Sequence, residues 1–395
     1  MDYGSLWRAV QAQREALVGF AQALVQTQSP SGHEGDVAAR IRAEMERLGY
    51  DEGWADEAGN VVGRIAGGPG LPLMLNGHMD HVDAGDPVSW AHPPFGGAIH
   101  DGELWGRGAA DMKGALAAMV YAGGVARALD MPLPGDLYVS GVVQEEVGGL
   151  GARYMAGSLP LGRVVIGEAS GNQLRRGHRG RVELNARFEG RSVHASMPDL
   201  GVNPIASLIP FLRGLATLPM IAEPPYGRST VAVTRLESEP ESTNITPSMV
   251  RAVLDWRNVP GETPADIITT LEALLAGSLA AGCTGKIEVS SRELETYTGL
   301  RMRYPDVFPS FTTPADHPWL AQAQAALAVA LGREVEVGTW RFATDGGHFA
   351  AAGATVIGLG PGDDTVVHTV EERLPVDELV EAVMAYALLA VHPWE

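Results

Sequence analysis

The 395-residue chain holds one cysteine, Cys283, so it can form no disulfide within itself. Cys283 sits in a Gly-Cys-Thr-Gly turn without a histidine partner pattern and reads as inert. That usage fits a reducing compartment, and a cytoplasmic location is expected. No run of about 18 apolar residues occurs, which excludes a membrane-spanning helix. The N-terminal stretch carries Arg8, Arg14 and Glu15 and lacks the basic head and apolar run of a secretory leader. Positive charge is scarce: 29 Lys and Arg stand against 48 Asp and Glu, a formal net charge of −19. Such a surface repels phosphate backbones and anionic lipid, so neither nucleic acid nor membrane is expected as a partner. There is no internal repeat and no low-complexity tract. A complete G-x-G-x-x-G is also missing: Gly148-Gly149-Leu150-Gly151 is only a fragment of one, which argues against a dinucleotide site.

What is present is an ordinary globular composition, 45% hydrophobic and 19% charged. Its 49 glycines and 26 prolines exceed the roughly 12% combined share of an average chain and imply many turns. The length suggests two or three domains at ~150 residues each. Helical spacing of apolar residues predicts a helix over 5–27, ended by Pro30-Ser31-Gly32. Short apolar runs at 71–76, 137–143, 164–166 and 355–359 read as buried strands. Helices are expected at 112–128, 317–331 and 376–391, and Asp101-Gly102 marks a hairpin. Alternating strands and helices argue for a mostly parallel sheet covered on both faces. Between 181 and 297 the texture changes. Val182–Phe188 and much of Val250–Trp256 alternate with period 2, beside helical stretches at 203–217 and 264–280. The expected fold class is therefore α/β. An α/β/α catalytic domain spans 1–180 and 298–395, interrupted by an α+β domain at 181–297.

The acids and histidines fall where open α/β sheets place ligand sites, beyond the carboxyl ends of strands. The run at 71–76 leads into Gly77-His78-Met79-Asp80, that at 137–143 into Gln144-Glu145-Glu146, and that at 164–166 into Gly167-Glu168. Asp111 opens a helix after Gly106-Arg107-Gly108, and His368 follows the last strand. Three carboxylates gathered away from water repel one another. Two divalent cations would balance Asp111, Glu146 and Glu168 and leave one positive charge for a hydroxide. With neutral His78 and His368 the set is the mixed N/O type that Zn²⁺ accepts. One carboxylate must bridge if five side chains serve two ions. Alternation puts Asp80 on the side of His78, where it can take the other imidazole N–H. Glu145 and Glu146 point different ways, so one can bind metal while the other serves as general base.

Each piece also has an ordinary reading. An H-x-D triplet is common in loops. A Glu-Glu pair is usually solvated. Asp111 before a helix is by default an N-cap. Glu168 could be any loop acid, and His368 has rivals in His81, His92, His100 and His348.

Taken together, Asn76–Asp80, Gly106-Arg107-Gly108-Ala109-Ala110-Asp111-Met112-Lys113-Gly114, Gln144-Glu145-Glu146, Gly167-Glu168 and Val367-His368-Thr369 with Glu371 resemble the M20 metallopeptidase family, in family order and over nearly the whole chain. That family includes acetylornithine deacetylase, succinyl-diaminopimelate desuccinylase, aminoacylase and glutamate carboxypeptidases. Arg176–Arg181, Thr296–Gly299 and Gly358–Asp363 are similar to a subgroup of hydrolases linked to selenium metabolism. Val147-Gly148-Gly149 and Thr344-Asp345-Gly346-Gly347-His348 depart from the patterns of the named branches.

The resemblance implies that Asp111 bridges two metals, ahead of a cis peptide. His78 and Glu168 complete one metal and Glu146 and His368 the other. Glu145 is the base and Asp80 the orienting residue. It further implies that 181–297 is a lid that dimerises, that His194 reaches a neighbouring subunit's site, and that Asn244 and Arg257 hold substrate. The expected cofactors are two divalent ions, Zn²⁺ first, with Co²⁺ or Mn²⁺ as alternatives. The expected substrate is an N-acyl amino acid whose carboxylate meets Arg257, with Arg179 and Arg341 as rival cations. A metallo-carboxypeptidase or dipeptidase is the alternative within the same chemistry, and a non-catalytic metal-binding homologue the alternative outside it.

Overall fold

The computed structural model describes residues 2–160, 162–392 and 394. Its larger sheet has eight strands, in the spatial order Glu52–Ala55, Val61–Ile65, Leu137–Val142, Leu73–His78, Arg163–Ile166, Thr355–Gly358, Leu174–Arg175 and Val337–Gly338. The four central strands run parallel. The first two form an antiparallel edge against Leu137–Val142.

Period-2 alternation feeds two cores. Leu73, Leu75, Leu137, Val139, Val165 and Ile357 point to one face, under helices Arg14–Gln26, Gly114–Ala128, Pro318–Leu331 and Val376–Val391. Met74, Tyr138, Val142, Val164, Ile166 and Val356 point to the other, with Ala152 and Met155 of helix Leu150–Ala156 and Phe349 of helix Gly346–Ala351. Both faces are thus covered, which is why these strands read as continuous apolar runs.

The second sheet is antiparallel, in the order Thr230–Glu239, Met249–Arg257, Arg181–Glu189, Thr284–Val289, with Val307–Phe308 paired to Arg181–Val182. Val182, Leu184, Ala186 and Phe188 alternate inward with Val250, Ala252, Leu254 and Trp256. Helix Ile205–Leu215 covers them with Phe211, and helix Pro264–Ser278 with Ile267 and Leu271. The second helix starts at a capping box between Thr263 and Asp266, with Pro264 at its first position.

Some elements differ from expectation. The N-terminal helix is two, Tyr3–Ala12 and Arg14–Gln26, broken at Gln13. Helix Gly35–Arg47, the edge strand Glu52–Ala55 and its inner neighbour Val61–Ile65 were not anticipated. The hairpin Ser291–Glu295/Arg301–Pro305 crosses residue 297. Its Leu294, Met302 and Tyr304, with Tyr297 and Leu300 of the turn, pack on the first core and not on the second. Among the described residues no helix is long and apolar enough to cross a membrane.

Candidate metal centre

The parallel strands deliver their acids to one end of the sheet. His78 ends strand Leu73–His78, Glu145 and Glu146 follow Leu137–Val142, and Glu168 follows Arg163–Ile166. Asp111 does not open a regular helix as its sequence context suggested. It lies in a single wide turn, Ala109–Lys113, with extended φ/ψ of −126° and 89°, and its bond to Met112 is cis. Buried Glu372 shapes this turn. Its Oε1 accepts the amides of Ala110 at 3.2 Å and Asp111 at 3.1 Å, and its Oε2 pairs with buried Arg107.

Two groups of side chains converge, and Asp111 belongs to both. His78, Asp111 and Glu168 place ligand atoms within 4.8 Å of one another, as do Asp111, Glu146 and His368. Asp111 turns Oδ1 to His78 Nε2 at 2.9 Å and Oδ2 to His368 Nε2 at 3.0 Å. Glu168 lies 3.7 Å from His78 Nε2, and Glu146 lies 3.1 Å from His368 Nε2.

The donor set fits cations. His78 Nδ1 sits 3.0 Å from the main-chain carbonyl of Asp80, which can only accept, so Nδ1 carries a proton. In the neutral ring Nε2 then presents a lone pair toward carboxylate oxygens, an arrangement that needs positive charge between them. The ionisation tendencies carry the same message. Burial opposes a charge on His78, yet Asp111 and Asp80 outweigh it and hold the imidazole well above its ordinary range. Asp111 and Glu146 push His368 up to about 10. Burial, then the charge of Asp111, raises both Glu168 and Glu146. A cluster that recruits protons this strongly is short of positive charge.

Asp80 faces His78 Nδ1 with its main-chain carbonyl at 3.0 Å and its Oδ1 at 3.4 Å. The carboxylate spans the next turn: Oδ1 accepts the Glu145 amide at 3.1 Å, and Oδ2 accepts the Glu146 amide at 3.2 Å and the Ser31 hydroxyl at 2.7 Å. Glu145 is buried, and among the described residues its carboxylate has no hydrogen bond or ion pair, a condition none of the five ligand-type residues shares. Burial, then the charge of Asp345, raises it well above the usual carboxylate range. Burial, reinforced by Asp80 and Glu146, pushes Asp345 up to about 7. Gly149 passes close by at φ 66°; a Cβ there would meet His348 Nε2 at 2.6 Å and Asp345 Oδ1 at 3.0 Å, so glycine is required.

The remaining candidates lie elsewhere. His194 is exposed and bonds Ser196 at 2.7 Å; a single bridge joins it to Ile245, beside exposed Asn244. Arg257 is held by Asp255 at 2.6 Å. Among the described residues none of the three bonds to a metal-type ligand. Of the rival histidines, His81 accepts the Ser29 amide, His92 packs on Trp105, and His348 is buried beneath Gly149. Glu371 is exposed, and the buried acid of that segment is its neighbour Glu372. No local pattern marked Glu372 in the sequence; four residues after His368 it looks like any loop acid.

A family model described as peptidase family M20/M25/M40 matches residues 74–392. The chain belongs to this family. The uncharacterized protein YgeY of Escherichia coli K12 is 31% identical over 377 residues, 94% of this chain and 92% of that protein. The succinyl-diaminopimelate desuccinylase of Rhodopseudomonas palustris BisA53 is 28% identical over 87% of each chain. The crystal structure of aminopeptidase PepT from Bacillus cereus ATCC 10987 superposes with a TM-score of 0.74 at 20% identity, over 95% of this chain and 98% of that one. The M20 chain is a metal-dependent hydrolase acting on amide bonds.

Proposed function

We propose that the chain hydrolyses the amide bond of an N-acyl amino acid at a dinuclear centre, with Glu145 as general base and acid. The observation that carries this reading is Asp111, shared between two ligand groups beside a carboxylate that has no partner of its own among the described residues. His78, Asp111 and Glu168 would hold one ion, and Asp111, Glu146 and His368 the other, with Zn²⁺ favoured over Co²⁺ or Mn²⁺ by the N/O donor set. Bound divalent cations supply Lewis acidity and acidify water toward pKa ~7. Glu145 takes a proton from the attacking water on its carboxylate and returns it to the leaving nitrogen. Asp80 keeps that carboxylate aimed through the two amides it accepts. Burial excludes competing water from Glu145.

The block 181–297 is read as a lid and dimerisation domain. Its outer strand Thr230–Glu239 is largely exposed, including Val233 and Leu236, and offers an unpaired edge. In a homodimer His194 would serve the partner's site by stabilising the oxyanion. Asn244 and Arg257 are the lid residues assigned to substrate, and a cytoplasmic setting completes the reading.

A panel of N-acyl amino acids, dipeptides and longer peptides, assayed on metal-reconstituted protein with a chelated control, tests the assignment. N-acyl amino acids should turn over fastest and the chelated control should be inactive. Faster turnover of dipeptides would move the assignment to a dipeptidase, and activity unaffected by chelation would end the metal reading. Removal of Arg257 by Arg257→Ala should raise KM for a carboxylate-bearing substrate by roughly 10- to 100-fold, the value of a charge-assisted hydrogen bond. An unchanged KM would pass the role to Arg341, which is exposed and makes no ion pair among the described residues.

A further inference from the structure

We infer that Glu34 is a positioning residue for the base, holding the Gln144-Glu145-Glu146 turn in place by accepting the Gln144 amide. The inference rests on the reading of Glu145 as the base.

Three consecutive amides of this turn each end on a buried carboxylate oxygen. Gln144 donates to Glu34 Oε1 at 3.2 Å, Glu145 to Asp80 Oδ1 at 3.1 Å and Glu146 to Asp80 Oδ2 at 3.2 Å. Asp80 is engaged at both oxygens, so the first amide depends on Glu34. That first position is the strained one. Gln144 has φ 57° and ψ 39°, the left-handed region that a residue with a side chain rarely adopts. An acceptor for its amide offsets that strain, whereas a buried amide left without one is destabilising. If Gln144 relaxes, the next residue turns with it, and the next residue is Glu145.

Glu34 is itself fixed. It is fully buried, and the same Oε1 accepts the Gly32 amide at 2.9 Å. The segment before it is stapled to the end of the strand that carries His78 and Asp80. Ser29 Oγ donates to the Met79 carbonyl at 2.7 Å, the Ser29 amide donates to His81 Nε2 at 3.0 Å, and Pro30 bridges His81. Ser31 adds its bond to Asp80. Thus Pro30-Ser31-Gly32-His33-Glu34, between helices Arg14–Gln26 and Gly35–Arg47, ties the strand end to the base turn. Both amides reach one oxygen, and a neutral amide oxygen can accept them equally.

The test compares Glu34→Ala and Glu34→Gln in metal-reconstituted protein. Glu34→Ala should lower kcat by roughly 10- to 100-fold, the effect of a misplaced catalytic group. KM should stay within about twofold and the bound metal should be unchanged. Glu34→Gln should return kcat to within about threefold of the starting protein, because the acceptor is restored. Amide exchange over residues 143–147 should accelerate in Glu34→Ala and not in Glu34→Gln, a readout independent of turnover. If Glu34→Ala does not accumulate folded, Glu34→Asp, which withdraws the acceptor by one methylene, takes its place with the same expected loss.

A double mutant separates this inference from the base assignment. In a Glu145→Gln background, Glu34→Ala should add almost nothing, since both act through one carboxylate. Full activity of Glu145→Gln alone would remove the base and leave the exchange result standing. Unchanged exchange in Glu34→Ala, a Glu34→Gln as slow as Glu34→Ala, or losses that multiply in the double mutant would each overturn the role of Glu34.

Discussion

Glu145→Gln should retain its metal and its fold while kcat falls by roughly 10²- to 10⁴-fold, the usual worth of a positioned general base. The substitution is close to isosteric, and the side chain it alters has no hydrogen bond or ion pair among the described residues to lose. No ligand is removed, so metal analysis of the variant should match the unmodified chain. The backbone also stays held, because Asp80 accepts the amide of residue 145 and not its side chain. Burial and the charge of Asp345 disfavour the charged form of this carboxylate, so replacing it with a neutral amide should leave stability unchanged or slightly higher. Thermal unfolding and kcat on the same preparation check both halves. A variant with full activity and full metal content would end the assignment of the base.

Arg107→Met should destabilise the protein by roughly 3–5 kcal/mol, the cost of stranding one partner of a buried ion pair. Both members of the Arg107–Glu372 pair are buried, and Glu372 is fully so. Burial and the charge of Asp111 already push Glu372 up to about 7, and the guanidinium is the main force opposing them. Without it Glu372 would take up a proton, and its hold on the amides of Ala110 and Asp111 would weaken. Metal affinity should then fall with stability, by about 10- to 100-fold as for other residues that orient ligands. Replacing both partners together, Arg107→Met with Glu372→Leu, should recover much of the stability but not the metal affinity. Denaturant unfolding and metal titration distinguish the two losses. Equal recovery of both would show that the pair stabilises the fold without orienting Asp111.

These two substitutions also mark where reading the sequence succeeds and where it stops. The central strands were visible because both their faces are apolar, and the acids beyond their ends were visible because a parallel sheet exports its loop residues to one edge. Glu145 and Glu146 could be separated in principle, since adjacent residues point apart. The edge strand Glu52–Ala55 escaped because Glu52, Gly53 and Ala55 are exposed and carry no alternation. Helix Gly35–Arg47 escaped because charged residues surround a narrow apolar stripe, Val37, Ile41 and Met45. Gln13 broke the first helix without a proline or glycine to announce it. Glu34 and Glu372 were invisible for a deeper reason. Each is a buried acid that accepts a backbone amide distant in sequence, and an amide leaves no mark in a string of side chains.

The centre is closed by the hydrogen bond between Glu146 and His368, which lie 222 residues apart with the entire second sheet between them. For a chain emerging from the ribosome this imposes an order in time. His78, Asp111 and Glu168 are all available once the first half has been made. A nascent or truncated chain ending before residue 368 can therefore offer a complete ligand group for one cation only. The second candidate group can close only once residue 368 has been made, so a shorter chain would carry the proposed base without it.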